Sequence, residues 1–118
     1  TIGSLIPGAT YAVYVLFWDH TDFGNPSPGT WDIRAGLTTS TTLYNRSNTT
    51  IDSSYTDGDY RLRLGNLGEA AADQNGQIKI YIDDNGGSST KYDTSRYDGV
   101  GYEFISLAPA AGTVFIVR

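Results

Sequence analysis

Between Tyr11 and Trp18 every residue is apolar or aromatic. At a period of two, Val13, Val15 and Phe17 fall on one face and Tyr14, Leu16 and Trp18 on the other. That pattern predicts a central strand covered on both sides. Trp31, Ile33, Ala35 and Leu37 alternate with Asp32, Arg34 and Gly36, the signature of a half-buried strand. Tyr60, Leu62 and Leu64 alternate with Arg61 and Arg63 in the same way. Gln77–Ile82 (QIKIYI) reads as a further strand, and Val100, Tyr102 and Phe104 mark another. Thr113–Arg118 (TVFIVR) reads as a last, apolar one.

Turn chemistry separates these runs. Leu5-Ile6-Pro7-Gly8 feeds the first strand, and Gly24, Pro26, Pro28 and Gly29 punctuate a loop over Asp19–Gly29. The Thr- and Ser-rich stretch Thr38–Thr56 predicts an exposed loop or edge strand anchored by Leu43 and Tyr44. Gly68–Asp73 has the composition of one helical turn and is too short for more. Asn75-Gly76 suits the positive φ angles of a type I′ turn, which would close a hairpin into Gln77–Asp83. Asn85–Thr94 is a Gly/Ser-rich loop, and Pro109–Gly112 breaks the chain before the last strand. Six or seven short strands with turn signals between them predict an all-β fold, an antiparallel β-sandwich of jelly-roll type.

At 118 residues the chain forms a single domain, residues 1–118, large enough for one core without staples. Eight basic against thirteen acidic side chains give a net charge of −5, so the cationic face that nucleic acid requires is missing. Anionic membranes are disfavoured for the same reason, and the Tyr11–Trp18 run is too short to insert across a bilayer. There is no cysteine, hence neither disulfides nor thiolate metal sites. Gly, Thr, Ser, Asn, Asp and Tyr are abundant while Lys and Glu are scarce, as in many extracellular β-proteins. The chain opens at Thr1 without an initiator Met, which reads as processed or excised material.

The succession LIPGATYAVYVLFWD, WDIRAGL, YRLRLGNLGEAAADQNGQIKIYIDD and RYDGVGYE resembles a secreted domain of planctomycete-type cell-surface proteins. The likeness runs from about Leu5 to Glu103, and its most specific parts are FWD, RAGL, YIDD and YDGVGY. It implies export and a β-sandwich, with no defined activity. More loosely, the PGATY strand and the late Asp-containing strand are similar to jelly-roll carbohydrate-binding modules, which often carry a structural calcium. Relatives of that kind have strands ahead of the PGATY segment and none equivalent to TVFIVR. The resemblance therefore implies a sandwich lacking upstream strands, with an extra C-terminal strand over residues 113–118.

Acids cluster where the strands end. Asp19, Asp22, Asp83, Asp84 and Asp98 could supply oxygen ligands to Ca²⁺, which takes six to eight of them. The competing reading is that each Asp caps a turn through its own backbone. No EF-hand spacing is present: Asp73-Gln74-Asn75-Gly76 opens like one but lacks the closing Glu. Trp18, Tyr92 and Tyr97 are candidates for stacking on sugar rings, whereas the alternation around Trp31 places that residue in the core. His20 is the sole histidine and reads as a solvated loop residue. No Ser lies in a nucleophile elbow, and Glu69 and Glu103, the only glutamates, form no recognisable acid pair. An enzyme is not expected. Asn45-Arg46-Ser47 and Asn48-Thr49-Thr50 both satisfy the N-glycosylation sequon.

The segment Thr113, Val114, Phe115, Ile116 and Val117 finishes the domain's own sheet or pairs with another copy by strand addition. The expectation is a non-catalytic, secreted or cell-surface structural subunit that associates with other copies of itself into a filament or layer. The alternative is a carbohydrate-binding module, calcium-stabilised, whose partner is a polysaccharide.

Overall fold

A computed structural model describes residues 1–20, 33–45, 47–58, 60–84 and 96–108. Within them the fold is all-β. The strands are β1 (Thr10–His20), β2 (Ile33–Gly36), β3 (Thr42–Tyr44), β4 (Thr50–Asp57), β5 (Tyr60–Ala71), β6 (Tyr81–Asp84) and β7 (Arg96–Ser106). They form two antiparallel sheets, one ordered β4-β5-β1-β7 and the other β3-β2-β6. One sheet curls strongly into a half-barrel.

β1 is the centre of the larger sheet, as its double-sided apolar run predicts, and pairs along its length with β5 and β7. Its inner residues Tyr11, Val13, Val15 and Phe17 are buried. They divide the core in two. Val15 and Phe17 pack with Ile33 and Ala35 of β2 and Tyr44 of β3. Tyr11 and Val13 pack with Ile2, Leu5, Ala9, Ala72 and Ile78. The outer residues Tyr14, Leu16 and Trp18 are only half-buried, so the expected second covering layer is not found among the described residues.

β5 departs from its own alternation. Register with β1 sets Arg61, Arg63 and Gly65 opposite Asp19, Phe17 and Val15, on the inner face. Leu62 and Leu64 lie opposite Trp18 and Leu16 on the outer face. The pattern of Leu and Arg marks the strand, and Leu62 and Arg63 are both buried: an ion pair and a glycine notch line the inner face, and Leu62 is covered on the other. Gly65 leaves the space that Tyr44 occupies: a Cβ there would stand 2.6 Å from the ring. A register shift between Val13 and Tyr14 leaves Leu67 as the extra residue, and Leu67 packs against both halves of the core.

Gly68–Ala71 belongs to β5 and not to a helical turn, since β1 offers it backbone partners from Thr10 to Val13 that an isolated turn lacks. The Gln77–Ile82 strand is shorter than predicted: Ile78 bridges Ile2, and only Tyr81 onward pairs with β2. The Asn75-Gly76 turn also differs. Among its residues only Gly76 has positive φ (70°); Gly76 N donates to Asp73 O at 3.0 Å and Asp73 N to Gln77 O at 2.8 Å. That is a type I turn followed by a left-handed glycine, not type I′. Asp73 Oδ1 decides between them by accepting from Asn75 N and Gln77 N. Asp73→Ala is expected to lower stability by about 1 kcal/mol in denaturant titration, while Asp73→Asn largely preserves it.

Tyr44 closes the sandwich by donating its hydroxyl to Asn66 O at 2.9 Å. Burial pushes its phenol above the ordinary value of 10.0. The unfolded chain therefore ionises first. Stability held below pH 10 falls as pH rises from there through the raised folded value. Tyr44→Phe should cost about 1 kcal/mol at neutral pH and flatten this alkaline decline, read by denaturation at stepped pH.

Candidate functional site: the open edge of β7

Among the described residues the larger sheet has two edge strands of opposite character. β4 (TIDSSYTD) is polar, and its pairing with β5 breaks between Asp52 and Thr56, where Ser53–Tyr55 bulge out. Asp52 Oδ1 accepts from Ser54 N and fixes that bulge. Polarity and irregularity are the usual means of keeping a sheet edge from pairing with another chain.

β7 lacks that protection over its middle. From Gly99 to Phe104 it pairs with Tyr11–Leu16 without a break, with register shifts only at either side of this run. Val100, Tyr102 and Phe104 lie opposite Val15, Val13 and Tyr11, on the inner face of the sheet. Tyr102 and Phe104 each meet the buried Tyr11 ring edge-on, with centroids 5.7 and 5.9 Å apart. Yet Tyr102 is 52% exposed and Phe104 49%. The reason lies in the second sheet. β2 and β3 pack over β1 and β5, and among the described residues nothing closes the sandwich over β7. Tyr97, Ile105 and Leu107, on either side of the Gly99–Phe104 run, are exposed as well, Leu107 to 65%.

Of the acids gathered by sequence, Asp19, Asp83 and Asp98 are described, and they lie apart. Asp19 lies inside β1, not in a loop; it is 1% exposed, and Arg63 Nε donates to its Oδ2 at 2.7 Å. Arg63 also reaches Thr49 O and Oγ1, tying the β3–β4 connection to the sheet. Asp98, on β7, accepts from Trp18 Nε1 at 3.2 Å. Asp83 is exposed on β6, opposite Arg34 in the other sheet. Asp22 lies outside the described residues, as does the side chain of Asp84. Among the described residues no three His, Asp or Glu side chains converge on a cation site.

The aromatic candidates separate too. Trp18 is on the outer face, whereas Tyr97 stands opposite the buried Phe17, towards the inner face. The two do not form one platform, and Tyr92 lies outside the described residues. Beside Trp18 the outer surface of β7 is bare: a Cβ at Gly99 would meet nothing within 4 Å, and one at Gly101 only Leu16 and Tyr14. The sequon residues hold the β3–β4 connection. Asn48 Nδ2 donates to Leu43 O, Asn48 Oδ1 accepts from Asn45 N, and Asn45 Oδ1 accepts from Ser47 N. The assembly strand Thr113–Val117 lies outside the described residues.

What sequence reasoning missed is the pairing of a blocked edge with an open one. The signal was present in the contrast between TIDSSYTD and GVGYEF, but only strand order shows that both are edges. Comparison with family models, curated proteins and solved structures finds no match to this chain.

Proposed function

We propose that the chain is a non-catalytic, exported structural subunit that associates with copies of itself at the cell surface through its terminal strands. The observation that carries this reading is the β7 edge: a regular run with no second strand partner among the described residues, beside the half-exposed Tyr102 and Phe104 and opposite an edge that is polar and bulged. Covering the exposed halves of those two rings contributes about 1 kcal/mol each. That alone does not offset the entropy of association, so the backbone ladder and the neighbouring Tyr97, Ile105 and Leu107 must share in the contact. Export and surface location rest on composition and on the resemblance of the FWD, RAGL, YIDD and YDGVGY segments. Static light scattering over a concentration series tests the reading: the weight-average mass should rise with concentration, and a constant monomer mass would sink it.

A second reading, a polysaccharide-binding module, is favoured by the outer face. Asp98 holds the edge of the Trp18 indole beside the bare backbone of Gly99 and Gly101, which leaves room for the C–H face of a sugar ring. Trp18→Ala should then abolish retardation in affinity electrophoresis through neutral polysaccharide gels. Unretarded migration of the unsubstituted chain in every such gel would exclude it.

A further inference from the structure

The self-association reading leaves open what lies along β7, and we infer that the occupant is the segment Thr113–Arg118 of a second copy, added antiparallel to Gly99–Phe104. This rests on the proposed self-association and deepens it. Two observations converge on the match. The uninterrupted part of β7 that would receive the segment is the six residues Gly99–Phe104, bounded by register shifts on both sides.

The two faces of that strip are complementary to the two phases of the segment. On the inner side stand Val100, Tyr102 and Phe104, half covered and apolar. On the outer side stand Gly99 and Gly101, which offer no side chain, with the carboxylates of Asp98 and Glu103 at their ends. Antiparallel pairing of Phe115 with Tyr102 sets Val117 against Val100 and Thr113 against Phe104 on the inner side. On the outer side Ile116 falls beside Gly101, where a branched side chain supplies the packing that glycine lacks. Arg118, the only charge in the segment, falls beside Gly99 and next to Asp98. The reverse phase would turn Arg118 to the aromatic side and Phe115 to the acidic one.

The connection favours a second copy over the same chain. In this register a return onto its own β7 would loop through the eight residues Ile105–Gly112, against the two to five usual for a hairpin. A neighbour's segment has no such constraint. Because the donor and acceptor surfaces differ, the contact is head-to-tail and generates a filament or a ring, the smallest ring being a reciprocal exchange between two copies.

The absence of native cysteine makes the test direct. Chains carrying Tyr102→Cys and chains carrying Phe115→Cys are mixed and oxidised. The expected result is a disulfide-linked pair in the mixture, at several times the yield from either chain alone. Joining both substitutions in one chain should give a ladder of linked oligomers. Glu103→Cys with Val114→Cys repeats the test at an exposed position that leaves the inner face intact, should the first acceptor chain fold poorly. A doubly substituted chain that closes its disulfide internally at every concentration, with no linked pair in the mixture, would overturn the inference. Light scattering on the same samples separates the two levels. Oligomers without these cross-links refute the occupant and spare self-association, whereas a monomer throughout refutes both.

Discussion

Arg63→Met is expected to destabilise the fold by about 3–5 kcal/mol, the largest single-site effect in the chain. Asp19 is 1% exposed and the Arg63 side chain 10%, with the pair 2.7 Å apart. Removing the guanidinium takes the paired cation from a buried carboxylate, and breaking such a pair from one side costs far more than the intact pair contributes. The same change releases Thr49, whose Oγ1 also donates to Asn45 O, and so loosens the β3–β4 connection. Equilibrium denaturation measures the loss. Replacing both partners, Asp19→Leu with Arg63→Met, should recover most of it, because two apolar side chains need no compensation. A double variant as unstable as the single one would show that the loss is one of packing and not of charge.

Gly76→Ala is expected to cost about 3 kcal/mol by combining two penalties. The residue has φ of 70°, which alone costs an alanine about 1 kcal/mol. Its Cβ would also stand 2.3 Å from Leu5 O, a backbone atom that cannot swing aside. Relief requires the N-terminal segment to move away, breaking the Leu5 N to Gly76 O bond and the Ile2–Ile78 bridge and uncovering Ile2 and Leu5. Hydrogen exchange at Ile2, Leu5 and Ile78 should therefore accelerate more than at Val13 or Val15. Uniform acceleration across both halves of the core would mean that the segment is not a separable part of the fold.

The fold class was legible because period-two patterning and turn residues are local properties. β1 and β7 follow from Tyr11–Trp18 and from Val100, Tyr102 and Phe104. Position in the sheet is not local. The alternation does not say where Arg63 points; its partner Asp19 lies forty-four residues away on β1. In the same way Asp19 reads as a loop acid until β1 proves to extend through His20. Of the acids at strand ends, Asp19 and Asp98 lie in the larger sheet and Asp83 in the smaller, a placement fixed by register and not by spacing. The candidate site was half legible: the apolar phase of β7 is plain, but only strand order reveals that it borders an edge.

The most direct measurement of self-association through β7 is sedimentation equilibrium of the intact chain beside Phe104→Lys. The half-exposed ring makes this substitution tolerable for the fold, checked by an unchanged far-ultraviolet circular dichroism spectrum, while placing a hydrated charge in the contact. The intact chain should give a mass that climbs with concentration, and Phe104→Lys a constant monomer. Equal masses for the two chains at every concentration, whether both monomeric or both assembled, would contradict assembly through this edge.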